Sequence, residues 1–402
     1  MVRPITFEVE QWMDQYETTP GVLNVAETCA SSISIDELTS LSGDKDAAAP
    51  FRTSTRLTYG PIWGSPELRR RVAELHTSGN NQPLNKENVI ITQGGIGANF
   101  LTLFTLLGPS DHVICVYPTY QQLYSVPESL GAQVSLWKLR AENGFIPDCS
   151  ELQGMSFNLL TSPWMIIINN PNNPSGILIP KAVLGEIVEF ARARDIIVMS
   201  DEVYRPLFHQ AIDSGAELPP PITSFGYNKT IVTGSMSKAW AMAGIRIGWI
   251  VTPSSEIMGD LAAARDYTTI SVSQVDDQIA TYALAAARGP LSQRNVRLAV
   301  HNLGILEAFI NQHSSVCDWV RPNAGTTAFI RFKNKKGEPV DDVSFCLDLL
   351  QQTKILLVPG SKCFGSGSED FAGYVRFGYV CETAVLEEAL PKLAEYIKAT
   401  LV

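Results

Sequence analysis

Between residues 89 and 233 the chain repeatedly sets a short, continuously apolar segment against helical runs. Val89–Thr92, His112–Val116, Trp164–Asn169, Ile196–Ser200 and Thr230–Thr233 are the apolar segments; Ala98–Leu107 and the amphipathic Lys181–Arg194 read as helices. A strand that is apolar on both faces has to be covered on both, and helices packed on each side of a mostly parallel sheet do this. The predicted fold class is therefore α/β, with a large domain whose mostly parallel sheet is flanked by helices. Ligands of such sheets bind just beyond the carboxyl ends of the strands. The five segments run into Gly94–Gly97, Pro118–Tyr120, Asn170–Gly176, Asp201–Tyr204 and Ser235–Lys238, all polar or glycine-rich. A functional site is expected there.

The 402 residues exceed the roughly 250–300 at which a single core stops growing, so two domains are expected. Beyond residue 295 the pattern changes to a helix over Val296–Asn311, strand-like Gly325–Phe332, Ile355–Pro359 and Gly373–Tyr379, and a closing helix over Glu382–Leu401. That predicts a large domain over 46–294 and a smaller α+β domain from 1–45 and 295–402. A net charge of −10 argues against nucleic-acid or anionic-membrane partners, which need a basic face. The seven cysteines are odd in number, scattered and without a CxxC pair, which points to reduced thiols rather than a disulfide framework or a metal site. Glu8 and Glu10 lie where a signal peptide would need an apolar run, and stretches such as Ile166–Ile168 fall far short of the ~20 residues of a membrane span. A cytoplasmic protein is expected.

The chemistry concentrates around Lys238, in Thr233-Gly-Ser-Met-Ser-Lys-Ala-Trp-Ala-Met-Ala-Gly-Ile-Arg-Ile-Gly248. A lysine just past a buried strand and flanked by small residues can be desolvated, which lowers its pKa and frees the amine for Schiff-base chemistry. An arbitrary lysine is far more often a solvated surface residue. Here Ser235 and Arg246 bracket it, and both suit a phosphate. The segment resembles the cofactor-lysine motif of the class I/II aminotransferases, the fold-type I pyridoxal 5′-phosphate (PLP) enzymes, and further motifs extend the likeness from about Leu57 to Phe377. The resemblance implies that Lys238 forms the internal aldimine with PLP and that Ser235 and Arg246 contact the cofactor phosphate.

The other motifs follow in the family's order. Asn169-Asn-Pro-Asn-Asn-Pro-Ser-Gly176 is by composition a tight turn; the resemblance makes Asn173 the hydrogen-bond partner of the cofactor's ring oxygen and places it at the substrate. Ser175 stands where the family has threonine. Ser200-Asp-Glu-Val-Tyr204 reads locally as a strand followed by a helix cap; the resemblance sets Asp201 against the pyridine nitrogen and Tyr204 against the ring oxygen. Gln93-Gly-Gly-Ile-Gly-Ala98 opens a helix whose first amides suit phosphate. By family position Gly95 and Ile96 supply them, with no polar side chain nearby. Tyr120 is either a core aromatic or, by resemblance, the ring stacked on the cofactor. Leu57-Thr-Tyr-Gly-Pro-Ile-Trp-Gly-Ser-Pro-Glu-Leu-Arg69 matches the segment whose tyrosine, here Tyr59, reaches the phosphate of the neighbouring subunit, which implies a homodimer with shared sites. In Tyr374-Val-Arg-Phe-Gly378, Arg376 matches the clamp on the substrate α-carboxylate, and Val358-Pro-Gly-Ser-Lys-Cys-Phe-Gly365 matches a second small-domain signature.

These parts imply an enzyme acting on an α-amino acid through an external aldimine and Cα deprotonation, with Lys238, Asp201 and Tyr204 catalytic. An aminotransferase using a 2-oxo acid is the main expectation. A lyase (C–S or other β/γ-elimination) or a cyclase of specialised metabolism is the alternative. The intact Lys238, Asp201, Arg246 and Arg376 argue against a non-catalytic relative. The chain departs from the common pattern at Leu23-Asn-Val-Ala-Glu-Thr-Cys-Ala-Ser-Ser-Ile-Ser34, which with Trp12 and Tyr16 resembles the capreomycidine-synthase-like branch. Glu27 there is open to two assignments, partner for a cationic substrate side chain or solvated loop acid.

Overall fold

The computed structural model describes residues 4–42, 49–77, 83–157, 163–209, 218–367 and 370–401. The expected boundary between residues 45 and 46 lies outside them.

Seven strands form the central sheet: β1 (Val89–Gln93), β2 (His112–Tyr117), β3 (Gln133–Lys138), β4 (Met165–Asn169), β5 (Ile197–Asp201), β6 (Thr230–Ser235) and β7 (Ile247–Val251), in spatial order β1-β7-β6-β5-β4-β2-β3. From β6 across to β3 every pairing is parallel. Only β7 runs the other way, between β1 and β6. Strands β2, β4, β5, β6 and β7 are buried along their whole length, which is why their sequences are largely apolar and show no period-two alternation of apolar and polar residues. The helix Lys181–Arg192 shows the complementary period, burying Leu184, Ile187, Val188 and Ala191 on one stripe. Strands β3 and β7 have no counterpart among the expected elements. The first is only partly buried and the second is hidden in the tail of the lysine motif.

A second, antiparallel sheet has order β10-β11-β9-β8, with β8 (Cys317–Trp319), β9 (Thr327–Phe332), β10 (Val358–Pro359) and β11 (Tyr374–Gly378). The beginning of the chain joins this part. Leu23–Asn24 pairs in parallel with Ile355–Leu356. Helix α1 (Glu8–Tyr16) buries Val9, Trp12 and Met13, and the Trp12 indole N–H donates to the Leu357 carbonyl at 2.9 Å. Among the described residues, no helix is long and apolar enough to cross a membrane.

Candidate active site

The carboxyl ends of the central strands open into a cavity of about 540 Å³, inside the roughly 300–1,000 Å³ range of small-molecule sites. Gly95, Ile96, Tyr120, Asn173, Asp201, Tyr204, Ser235, Lys238, Arg246, Arg376 and Glu27 all line it. Of the site residues expected from the sequence, Tyr59 alone is absent from the lining; it lies on the surface, 74% exposed.

Lys238 follows β6 directly. Its Nζ donates to Thr28 Oγ1 at 2.6 Å, lies 3.5 Å from Cys29 Sγ and sits 3.7 Å from a Glu27 carboxylate oxygen. That same Glu27 oxygen accepts the backbone N–H of Thr28 and of Cys29. Burial favours the neutral acid at Glu27, but the Lys238 charge and these hydrogen bonds prevail and hold it down to about 2. Burial would lower the Lys238 pKa, as the sequence led us to expect. The structure reverses this, because Cys29, Glu27 and Tyr204 surround the amine and raise it. The Glu27 carboxylate is thus committed to the lysine end of the cavity.

Asp201 closes β5 and is buried. Its Oδ2 accepts from Asn99 Nδ2 at 2.9 Å, its Oδ1 accepts the Val203 amide at 3.2 Å, and Thr233 Oγ1 donates to Asn99 Oδ1 at 2.6 Å. Burial outweighs these bonds and lifts the Asp201 carboxyl to about 6. Asn99, which is 1% exposed, was not singled out in the sequence. The available signal was one amide in the otherwise apolar stretch from Ala98 to Leu101. The Tyr204 phenol is also buried and raised above its ordinary value by that burial.

Helix α2 (Gly94–Leu106) begins inside the glycine cluster rather than after it. Gly94 has φ +72°, and a Cβ there would run into the Arg246 guanidinium. A Cβ on Gly95 would press on Val203 at 2.9 Å and on Ser235 at 3.5 Å. Small residues here bring the first amides of a 13-residue helix beside Ser235 and Arg246, an arrangement made for an anion. Arg246 is steadied by the Ala243 carbonyl at 2.8 Å and Ser237 Oγ at 3.4 Å.

Arg376 reaches in from β11. One terminal nitrogen donates to the Ala26 carbonyl at 2.9 Å, the other to Asn173 Oδ1 at 3.4 Å. Its Nε is buried without a hydrogen-bond partner among the described residues. Asn173 is itself fixed by its N–H to Asn169 Oδ1 at 2.7 Å. The Tyr120 hydroxyl donates to Glu10 Oε1 at 2.8 Å, and its ring packs 5.0 Å from that of Phe7. Helix α1 completes the lining with Val9, Glu10, Gln11, Met13 and Asp14, followed by Glu17. The site therefore offers an anion cradle, a buried carboxyl, an amine beside a carboxylate, and a buried guanidinium with a spare donor.

The family model described as "Aminotransferase class I and II" matches residues 44–393. Capreomycidine synthase of Streptomyces vinaceus is 28% identical over 84% of this chain and 80% of its own length. The aspartate aminotransferase of Pyrococcus horikoshii is likewise 28% identical, over 85% of this chain and 83% of its own. Among solved structures, a PLP-dependent aminotransferase from Streptococcus suis superposes with a TM-score of 0.85 at 35% identity, covering 99% of both chains.

Proposed function

Because the chain belongs to the aminotransferase class I and II family, whose cofactor is pyridoxal 5′-phosphate, we propose that it is an aminotransferase of α-amino acids with Lys238 as the cofactor anchor. The observation that carries this is the convergence of Lys238, Asp201, Arg246 and Arg376 on one cavity.

The residues fit the cofactor. The amides of Gly95 and Ile96, with Ser235 and Arg246, would hold its phosphate. Asp201 would pair with the protonated ring nitrogen, Asn173 and Tyr204 with the ring oxygen, and Tyr120 would cover the ring. Bound there, PLP supplies an electron sink for negative charge developing at the substrate Cα. The protein does the rest. Arg376 grips the α-carboxylate through its spare Nε and a terminal nitrogen, which sets the direction of the Cα–H bond. The Lys238 amine, once released, is the base placed to take the Cα proton. Thr28 accepts a hydrogen bond from that amine and the Glu27 carboxylate lies 3.7 Å from it, which together hold it in place. The Asn99 bond keeps Asp201 able to ionise at neutral pH, since removing it would let burial push the carboxyl higher still.

A homodimer belongs to the same proposal, with Tyr59 completing the neighbouring site. Its support is the exposure of Leu57, Tyr59 and Tyr267, at 84%, 74% and 90%. So do the two-domain division (46–294; 1–45 with 295–402), the 2-oxo acid as second substrate and a cytoplasmic location. Elimination or cyclisation is the second reading, favoured by the capreomycidine synthase that matches 84% of the chain.

The test is to mix holoenzyme with single amino acids and follow the cofactor spectrum. An aminotransferase accumulates pyridoxamine phosphate and a 2-oxo acid reverses this; a lyase or cyclase forms product with the cofactor unchanged and needs no 2-oxo acid. Lys238→Ala abolishes the near-visible absorbance of bound PLP, and an unaltered band would remove the anchor assignment.

A further inference from the structure

Asp201 has an acidic neighbour that the cavity does not contain. Glu202, the next residue, is 2% exposed and lies outside the lining. Two consecutive buried carboxylates repel each other, and the Glu202 charge is among the influences that raise Asp201, after burial. The surroundings of Glu202 answer that charge. Its Oε2 accepts from Arg205 Nε at 2.7 Å and its Oε1 from the Ile222 amide at 3.0 Å. Arg205 is itself held: a terminal nitrogen donates to the Pro219 carbonyl at 2.9 Å, and the guanidinium lies 4.9 Å from the Phe208 ring. An arginine keeps its charge, so a buried ion pair sits directly behind the carboxyl that faces the site.

His76, just after the helix Pro66–Leu75, closes the other side of Glu202. Trp249 Nε1 donates to His76 Nε2 at 2.9 Å. An indole nitrogen only donates, so the imidazole hydrogen is on Nδ1, which lies 3.8 Å from Glu202 Oε2. That Nδ1 is buried without a hydrogen-bond partner among the described residues. Burial, then the charges of Arg205 and Arg288, hold the imidazole down to about 3. His76 is therefore neutral and cannot stand in for Arg205 as a counter-charge. A Cβ on Gly234 would run into the Trp249 indole, so the glycine admits the ring that fixes His76.

We propose that Arg205 is a positioning residue for the cofactor site: it neutralises Glu202, so that no net charge lies behind Asp201 and Asp201 can face the ring nitrogen ionised. The inference rests on the cofactor reading above and adds residues that do not touch the cofactor. The groups facing Asp201 itself are Asn99 and the Val203 amide, with Lys238, Tyr204 and Tyr120 farther off. The variants below leave all of them in place.

The experiment measures the dissociation constant of pyridoxamine phosphate between about pH 4 and 9 for the full chain and three variants. Arg205→Met leaves a negative charge behind Asp201, Glu202→Gln a positive one, and the double variant none. Affinity is present above the Asp201 pKa and lost as pH falls through it. The acid limb should lie near pH 6 in the unmodified protein, about one unit higher in Arg205→Met, about one unit lower in Glu202→Gln, and back near 6 in the double variant. Arg205→Met buries an unpaired carboxylate, which is costly. Should it fail to fold, Glu202→Gln against the double variant carries the same comparison, since removing Arg205 on that background must raise the limb. A purely structural role lowers affinity equally at every pH and leaves the limb in place; that outcome, or single variants that shift the same way, overturns the proposal. If the unmodified protein binds pyridoxamine phosphate at no pH, the cofactor reading falls and takes this inference with it.

Discussion

Asn99→Leu tests the electrostatic core of the site with a side chain of the same branching but no polar atoms. Asn99 donates the 2.9 Å hydrogen bond that stabilises ionised Asp201, whose carboxyl already lies at about 6 through burial. A hydrogen bond to a charged group contributes about 1.5–3 kcal/mol. At 1.36 kcal/mol per pKa unit this is about one to two units, so the variant's Asp201 should titrate near 7–8. Only the ionised carboxylate pairs with a protonated ring nitrogen, so cofactor affinity is present above the Asp201 pKa and lost as pH falls through it. The unmodified protein loses affinity near pH 6; the variant loses it one to two units higher. The assay is the dissociation constant of pyridoxamine phosphate, which binds without a covalent bond, measured by fluorescence from pH 5 to 9. Phosphate titration is common to both proteins and cancels. Affinities near pH 9 should converge. An acid limb that stays at about 6 in the variant would refute both the Asn99 assignment and the pairing of Asp201 with the ring.

Two further outcomes follow from the segment beside Lys238. In Gly378→Ala the new Cβ lands on the Glu27 backbone carbonyl, with Ala26 only 3.3 Å away. Overpacking of this kind costs about 1–3 kcal/mol, and the displaced Ala26 carbonyl is an Arg376 acceptor. Denaturant unfolding should show the loss and spectral titration a weaker grip on amino acids; unchanged values in both would show that the strand tolerates the methyl. In Thr28→Val the ammonium of Lys238 loses its 2.6 Å acceptor, a loss of about 1.5–3 kcal/mol that favours the neutral amine. The pH at which apoprotein takes up PLP at half its maximal rate should therefore fall by about one unit or more. A rise or no movement would contradict the assigned bond.

The parallel sheet was legible because burial on both faces leaves a local mark. β4 and β5 are buried throughout and apolar until their last one or two residues, and the strand-end rule then pointed to Asp201, Asn173 and Lys238. Residues whose role depends on distant packing left no such mark. Asn99 acquires its partners only when α2 lies across the sheet and meets Asp201, 102 residues away, and Thr233, 134 away. Nothing in the sequence singled out Glu10, Asp14 and Glu17 for the site, since only the docking of α1 through Trp12 onto Leu357 turns that face to the cavity. Glu27 could be located but not oriented, since its partner Lys238 lies more than two hundred residues downstream.

The bond from Arg376 to the Ala26 carbonyl spans 350 residues, and that separation has a consequence in time. A ribosome adding about 5–20 residues per second needs roughly 20–70 s to travel between them. Throughout that interval β11, which will cover the Ala26–Glu27 backbone, does not exist. The nascent large sheet can close around β1–β7, but the strand bearing the carboxylate clamp arrives last. The ability to hold an amino acid is therefore acquired in the final stretch of synthesis, and a chain stalled before β11 would have Lys238 in hand with no Arg376 to aim a substrate at it.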